Sequence, residues 1–268
     1  MKATAAIAVN VFRESVRDKV LYNLVLFAIL LIGASYLLGQ LTAGQDVKII
    51  KDLGLASASA IGLFIAIFFG IGLVTKEVER RSIYSVLSKP VTRTQFVIGK
   101  YLGLVLTLLI NLSVMVVAFY AVLLYLDLTT LDGAKAAWEA PALDPRMLKA
   151  FALIGVELML ITATAIFFST FSSPFLSVAM TFAVYIIGHF GEDLKNINSI
   201  VKSVVLPYIT KAVYYVMPNL SALDVKSAVV HGLPVSGTSM MLATASCMLY
   251  IATLLVGSIV IFSRRDLK

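Results

Sequence analysis

The chain has 268 residues, of which 60% are hydrophobic and only 14% charged, with a formal net charge of +7. A soluble domain of this length keeps far more polar surface than such a composition supplies, so a soluble globular class is excluded and a polytopic membrane protein is indicated. The single cysteine, Cys247, rules out an internal disulfide and sits in an apolar run, where it reads as a small packing residue.

Met1–Lys19 comes first. Asn10, Arg13, Glu14, Arg17 and Asp18 recur on one helical face, and Ala5, Ala8, Val9, Phe12, Val16 and Val20 fill the opposite one. This spacing predicts an amphipathic helix over 1–19 lying at the membrane interface. Its scattered charges and the lack of a cleavage site do not fit a secretory signal.

A membrane helix needs about 20 mostly apolar residues. Six runs qualify: Val20–Leu41, Gly54–Thr75, Tyr101–Leu126, Lys149–Phe171, Pro174–Phe190 and Ser239–Phe262. The fifth is the shortest, and only the turn Ser172–Pro174 divides it from the fourth.

Between the second and third runs lies 76–100, with six Lys/Arg. Pro90 interrupts it and pushes Lys89 out of helical geometry. Thr92 then reads as a helix cap, with Gln95 completing a capping box and Val91 and Phe96 at the staple positions. A helix from Thr92 to Leu126 is about 50 Å long, whereas the hydrocarbon core is about 30 Å thick. Two helical pieces joined at Lys89-Pro90 therefore project from the membrane as a stiff unit, which suits a docking surface that transmits force.

The stretch Asp127–Leu148 reads as a weakly structured loop. Gly191–Gly237 is long and apolar but broken at Pro207 and Pro218, which predicts re-entrant or interfacial helices with Tyr208, Tyr214 and Tyr215 near the interface. The whole of 1–268 reads as one all-α transmembrane domain.

Charge orients it. With six spans both termini share a side with 76–100, and that side holds thirteen Lys/Arg and five Asp/Glu. The other side holds nine of each. The positive-inside rule then places both termini and 76–100 in the cytoplasm. The net charge reflects topology and calls for no nucleic acid.

No phosphate-binding G-x-x-x-x-G-K-[ST], H-E-x-x-H or G-x-S-x-G occurs. His189 and His231 have no partner at ligand spacing, and His189 reads as a span-boundary residue near Glu192 and Asp193. Glu157 is the one carboxylate in mid-span, where ionisable groups face a cavity or a partner. A substrate contact, a bond to a neighbouring helix and a protonated acid within the bundle all stay open for it.

Three features together resemble the permease subunits of ABC-2 type ABC transporters over essentially the whole chain. They are "VFRESVRDK" before the first span, "KEVERRSIYSVLSKPVTRTQFVIGKYLG" between the second and third, and six spans with an apolar outer segment before the last. The nearest look-alike is the nitrous-oxide-reductase-maturation-like permease branch. The chain departs from the common pattern at Arg81-Ser82, where Gly-Thr often stands.

The resemblance implies an elbow helix and a cytoplasmic coupling helix, gripped by a separate ATPase subunit in a unit of two permeases and two ATPases. ATP and Mg belong to the ATPase, and no cofactor to this chain. By position, Glu77, Glu79, Arg80, Arg81 and Tyr84 fall on the coupling segment, Lys89, Pro90 and Arg93 at its turn, and Arg13 and Arg17 on the elbow helix. The implied protein is a non-catalytic inner-membrane subunit of an ATP-driven exporter, acting as a homodimer. One alternative is a membrane subunit that turns ATP hydrolysis into force on an extracytoplasmic partner. Another is a self-sufficient carrier or channel that depends on Glu157. The spans carry no readable code for a substrate.

Overall fold

The computed structural model is all helical among the residues it describes, 2–41, 46–79, 92–136, 138–190 and 216–264. In chain order these form α1 (Lys2–Val16), α2 (Lys19–Gln40), α3 (Asp46–Glu79), α4 (Arg93–Thr129), the single turn α5 (Asp132–Lys135), α6 (Met147–Ser169), α7 (Pro174–His189), a 3-10 turn (Ser221–Leu223), α8 (Lys226–Val230) and α9 (Gly237–Arg264). Helices α2, α3, α4, α6 and α9 are long and apolar enough to cross a membrane. The apolar helix α7 has 16 residues, about 24 Å of rise, which is short of the hydrocarbon core.

Local chemistry explains the helix ends. Asp18 stops α1 from running into α2: its carboxylate accepts from Val20 N at 2.9 Å and caps α2. The capping box expected at Thr92 is present. Thr92 Oγ1 accepts from Gln95 N at 3.3 Å, and Gln95 Oε1 accepts from Thr92 N at 3.1 Å. Helix α3 begins eight residues before the second apolar run, and one charge in its first turns is accommodated rather than solvated. Lys51 is fully buried there, and its Nζ donates to Pro141 O at 2.7 Å.

Helix α6 is the centre of the bundle. Sixteen of its 23 residues are buried, so nearly every side chain on it meets protein rather than lipid. Lipid tails are as apolar as leucine, so such contacts depend on shape. Gly62 and Gly70 of α3 provide that shape. A Cβ on Gly62 would lie 2.5 Å from Leu158 Cδ1, and one on Gly70 would lie 2.9 Å from Ala165 Cβ.

Helices α2 and α9 are peripheral. Each buries one narrow stripe, Leu21, Ala28, Ile32, Ser35 and Gly39 on α2 and Ala243, Cys247, Ile251, Ser258 and Phe262 on α9. Their remaining faces expose Leu26, Leu30, Leu37, Met241, Leu249 and Val256. Hydroxyls inside the bundle bond back along their own helices, as Thr107 does to Gly103 O and Thr162 to Leu158 O, which leaves them no demand on lipid.

Helix α1 docks on α4 with a stripe that differs from the expected apolar face. Val11 and Ser15 are buried, while Ala5 and Val9 are exposed. The cause is backbone approach. A Cβ on Gly103 would lie 2.6 Å from Ala8 O and 2.7 Å from Val11 Cβ, and one on Gly99 would lie 2.8 Å from Ile7. The groove left by the two glycines selects the Ile7–Ala8–Val11 side, and the Ala5–Val9 side turns outward.

Gly103→Leu is expected to lift α1 from α4, at roughly 1–3 kcal/mol. The readout is faster amide exchange over Lys2–Val16 than in the wild type. Gly33→Ala, which adds a Cβ where nothing lies within 4 Å, is the control expected to be silent.

Candidate functional site

One end of the bundle gathers the first and last helices. Arg93, at the start of α4, donates through Nη1 to Phe262 O at 2.8 Å and Ser263 O at 2.7 Å. These are two of the carbonyls that the end of α9 leaves without helical partners. Phe96 stacks on Phe262 with centroids 5.8 Å apart, and Lys100, buried, lies 4.7 Å over the Phe96 ring. Arg13 lies exposed on α1 and Arg17 exposed in the turn that follows it. Glu77 and Glu79 lie on the last turns of α3. Of the other coupling-segment residues, Arg80, Arg81, Tyr84, Lys89 and Pro90 fall outside the described residues. Arg93 is thus engaged in joining α4 to α9, a role that its sequence position at a turn did not reveal.

At the opposite end the connections between helices are stapled into a cap. Beside the Lys51–Pro141 bond, Arg146 donates to Gly232 O, and Tyr120 donates to Asp144 O at 3.0 Å. His231 Nδ1 lies 2.8 Å from Glu139 Oε2. That hydrogen bond, the largest influence on it, holds the exposed Glu139 carboxyl below its ordinary value. Gly188 O accepts from Leu220 N at 3.1 Å, and a Cβ on Gly188 would lie 2.8 Å from Leu220. The 216–232 stretch is thereby seated on the end of α7.

Beneath the cap, Glu157 and His189 meet. Glu157 Oε1 lies 3.5 Å from His189 Nε2, with side chains 2% and 20% exposed, and neither atom has a hydrogen-bond partner. His189 Nδ1 faces Tyr185 O at 3.2 Å, and the Tyr185 ring lies 4.5 Å from the imidazole. A proton on Nδ1, donated to that carbonyl, leaves Nε2 as the lone-pair nitrogen that faces the Glu157 carboxyl. The Asp224–Lys226 ion pair, 3.6 Å apart in the cap, acts electrostatically on both groups.

The sequence reading left Glu157 open and treated His189 as a boundary residue. A count from the turn would have joined them. Glu157 stands fifteen residues before Ser172 and His189 fifteen after Pro174, so two antiparallel helices carry both to about 22 Å from the turn. Among the described residues no group of three or more His, Cys, Asp or Glu is placed to hold a metal ion. The arrangement therefore reads as a polar contact between α6 and α7.

Glu157→Gln and His189→Gln are expected to be non-additive in thermal unfolding by about 0.5–2 kcal/mol; additive losses would refute the contact. The Glu139 carboxyl is lower in the folded chain than in the unfolded one. Its contribution is therefore complete above the ordinary carboxylate range and lost as the pH falls through the folded value. Amide protection at Lys226–Gly232 should fall on acidification in the wild type more than in Glu139→Gln.

No curated protein matches the chain. The family described as ABC-2 family transporter protein matches residues 5–267, which is nearly the whole sequence and includes most of α1, all the long helices and the cap. With an all-helical bundle whose helices are long enough to span a bilayer, the chain belongs to the ABC-2 transporter family, as a membrane-embedded permease subunit of an ABC transporter.

Proposed function

We propose that this subunit couples ATP hydrolysis on a separate ATPase to movement of a substrate across the membrane, and that it works as an exporter. One observation carries this reading. Helices α3 and α4 have 34 and 37 residues, about 51 and 55 Å of rise, so both outrun a hydrocarbon core of about 30 Å. In the chain they flank residues 80–91, with Glu77 and Glu79 on the last turns of α3 and Arg93 on the first turn of α4. A projecting, charged pair of helices gives an ATPase something rigid to push.

On this reading Glu77, Glu79, Arg80, Arg81, Tyr84, Lys89 and Pro90 meet the ATPase, and Arg13 of α1 and Arg17 in the turn after it flank that surface. Arg93 supports the site by bracing α4 on α9. The ATPase holds ATP and Mg, and two copies of each subunit complete the transporter. Both termini face the cytoplasm across the inner membrane, in keeping with the charge asymmetry. A second reading keeps the same machinery but delivers force to an extracytoplasmic partner. The observation favouring it is the stapled cap, a built surface at the far end of α3.

The test is a mild-detergent pull-down of the tagged chain from cells that co-express its ATPase. An ATP-binding subunit is expected in stoichiometric amount, and Glu77→Lys with Glu79→Lys should cut its recovery by about tenfold. Unchanged recovery in that variant, with a normal elution volume, would remove the coupling role. Arg93→Gln should instead lower thermal stability by roughly 1–2 kcal/mol. A stable extracytoplasmic protein in the eluate would favour the second reading.

A further inference from the structure

Beneath the cap two acceptor atoms face each other. Glu157 Oε1 and His189 Nε2 lie 3.5 Å apart, both buried, and neither has a hydrogen-bond partner. His189 Nδ1 is committed to the Tyr185 carbonyl at 3.2 Å, so Nε2 offers a lone pair. An ionised carboxylate offers only lone pairs as well, and in a bundle interior it is costly unless paired. One proton between the two atoms resolves both conflicts. It gives the contact a donor and leaves the pair with no net charge.

We propose that Glu157 and His189 form a proton-binding site that holds one proton between them, and that this proton keeps the cap seated on α7. His189 is the last residue of α7. Gly188 before it accepts from Leu220 N at 3.1 Å, and a Cβ there would lie 2.8 Å from Leu220. The site is thus one residue from the seat of the 216–232 stretch, and a swing of this end of α7 is passed to Leu220. Glu157 does not follow such a swing, because Leu158 beside it is packed against Gly62 of α3. Removing the proton sets a bare carboxylate against a lone pair, which parts the end of α7 from α6 and loosens the seat.

The other titratable groups acting on the pair come from three elements. Tyr185 of α7 lays its ring 4.5 Å from the imidazole and hydrogen-bonds Ser59 of α3. Cys247 of α9 interacts electrostatically with Glu157. Asp224 and Lys226 of the cap pair with each other at 3.6 Å, so their opposite charges offset. The direction of the pH effect follows from the proton count. Above the ordinary histidine range, the parted pair has a neutral imidazole and an ionised carboxylate, one proton fewer than the seated pair. Seating is therefore favoured as the pH falls and weakens as it rises, by up to about tenfold per pH unit for one proton. This acts on the alkaline side, opposite to the Glu139 carboxyl, whose contribution is lost on acidification. The site rests on α6, α7 and the cap and stands whether or not the coupling role is correct.

The test is amide exchange on the full-length purified chain in detergent, read as protection factors over residues 220–230 from neutral to alkaline pH. Wild-type protection should fall by up to about tenfold per pH unit. Glu157→Gln carries a permanent N–H donor toward Nε2, so its protection should stay level with pH. Tyr185→Phe, Cys247→Ser and Lys226→Gln should each keep the wild-type slope. Infrared difference spectra between neutral and alkaline pH should show an acid or imidazolium band in the wild type that is missing in Glu157→Gln. A level wild-type profile would overturn the proposal, whatever the folding of the variants. A slope that survives in Glu157→Gln, or that disappears in any of the other three, would overturn it too, since the pH dependence would belong to another group.

Discussion

Where α3 crosses α6, two glycines stand in place of side chains, and Leu158 and Ala165 occupy the space they leave. In a bilayer this matters more than it would in water. Burying a leucine against protein instead of lipid gains little from the hydrophobic effect, so close packing has to hold the helices together. The approach at Gly62 and Gly70 fixes both the rotation and the height of α6. Because Leu158 is committed to α3, the adjacent residue Glu157 faces another neighbour, α7, at the level where His189 arrives. The polar contact of the interior is thus a consequence of an apolar one.

The same crossing makes α3 the frame of the molecule. It is continuous from Asp46 to Glu79. Near one end Lys51 holds the carbonyl of Pro141 in the cap, and the other end leads into the 80–91 segment. Burying a lysine is costly unless its ammonium is fully bonded, so the cap cannot drift from α3 without leaving that charge exposed to an apolar interior. Helix α4 runs beside it, tied to α9 by Arg93 and to α1 through Gly99 and Gly103. A tilt applied at the 80–91 end is therefore shared by the cap and by the elbow.

Much of this frame was legible in the sequence, and the reasons are physical. Apolar runs near the thickness of a bilayer identified the long helices, and the Thr92–Gln95 box placed the start of α4 because a capping box is a local hydrogen-bond pattern. What the sequence hid was long-range. Lys51 lies before the apolar run that begins at Gly54, and nothing local announces that a carbonyl ninety residues away receives it. Arg93 looked like a turn residue for the same reason. The face expected on α1 held Ala8 but also Ala5 and Val9, and it left out Ile7, Val11 and Ser15, because the docked side is chosen by the glycine groove of α4, which local spacing does not reveal. His189 was legible in principle, through the symmetric count about Ser172–Pro174, but hydropathy alone marks it only as the end of a run.

Asp18 brings these themes together at the elbow. It ends α1, starts α2 and contributes a carboxylate to a pocket below Ser15. Ser15 lies buried in the same stripe as Val11 and lines the pocket with Phe69 and Gly72 of α3. The residue that closes one helix and opens the next thus also fixes where α1 and α2 meet the face of α3.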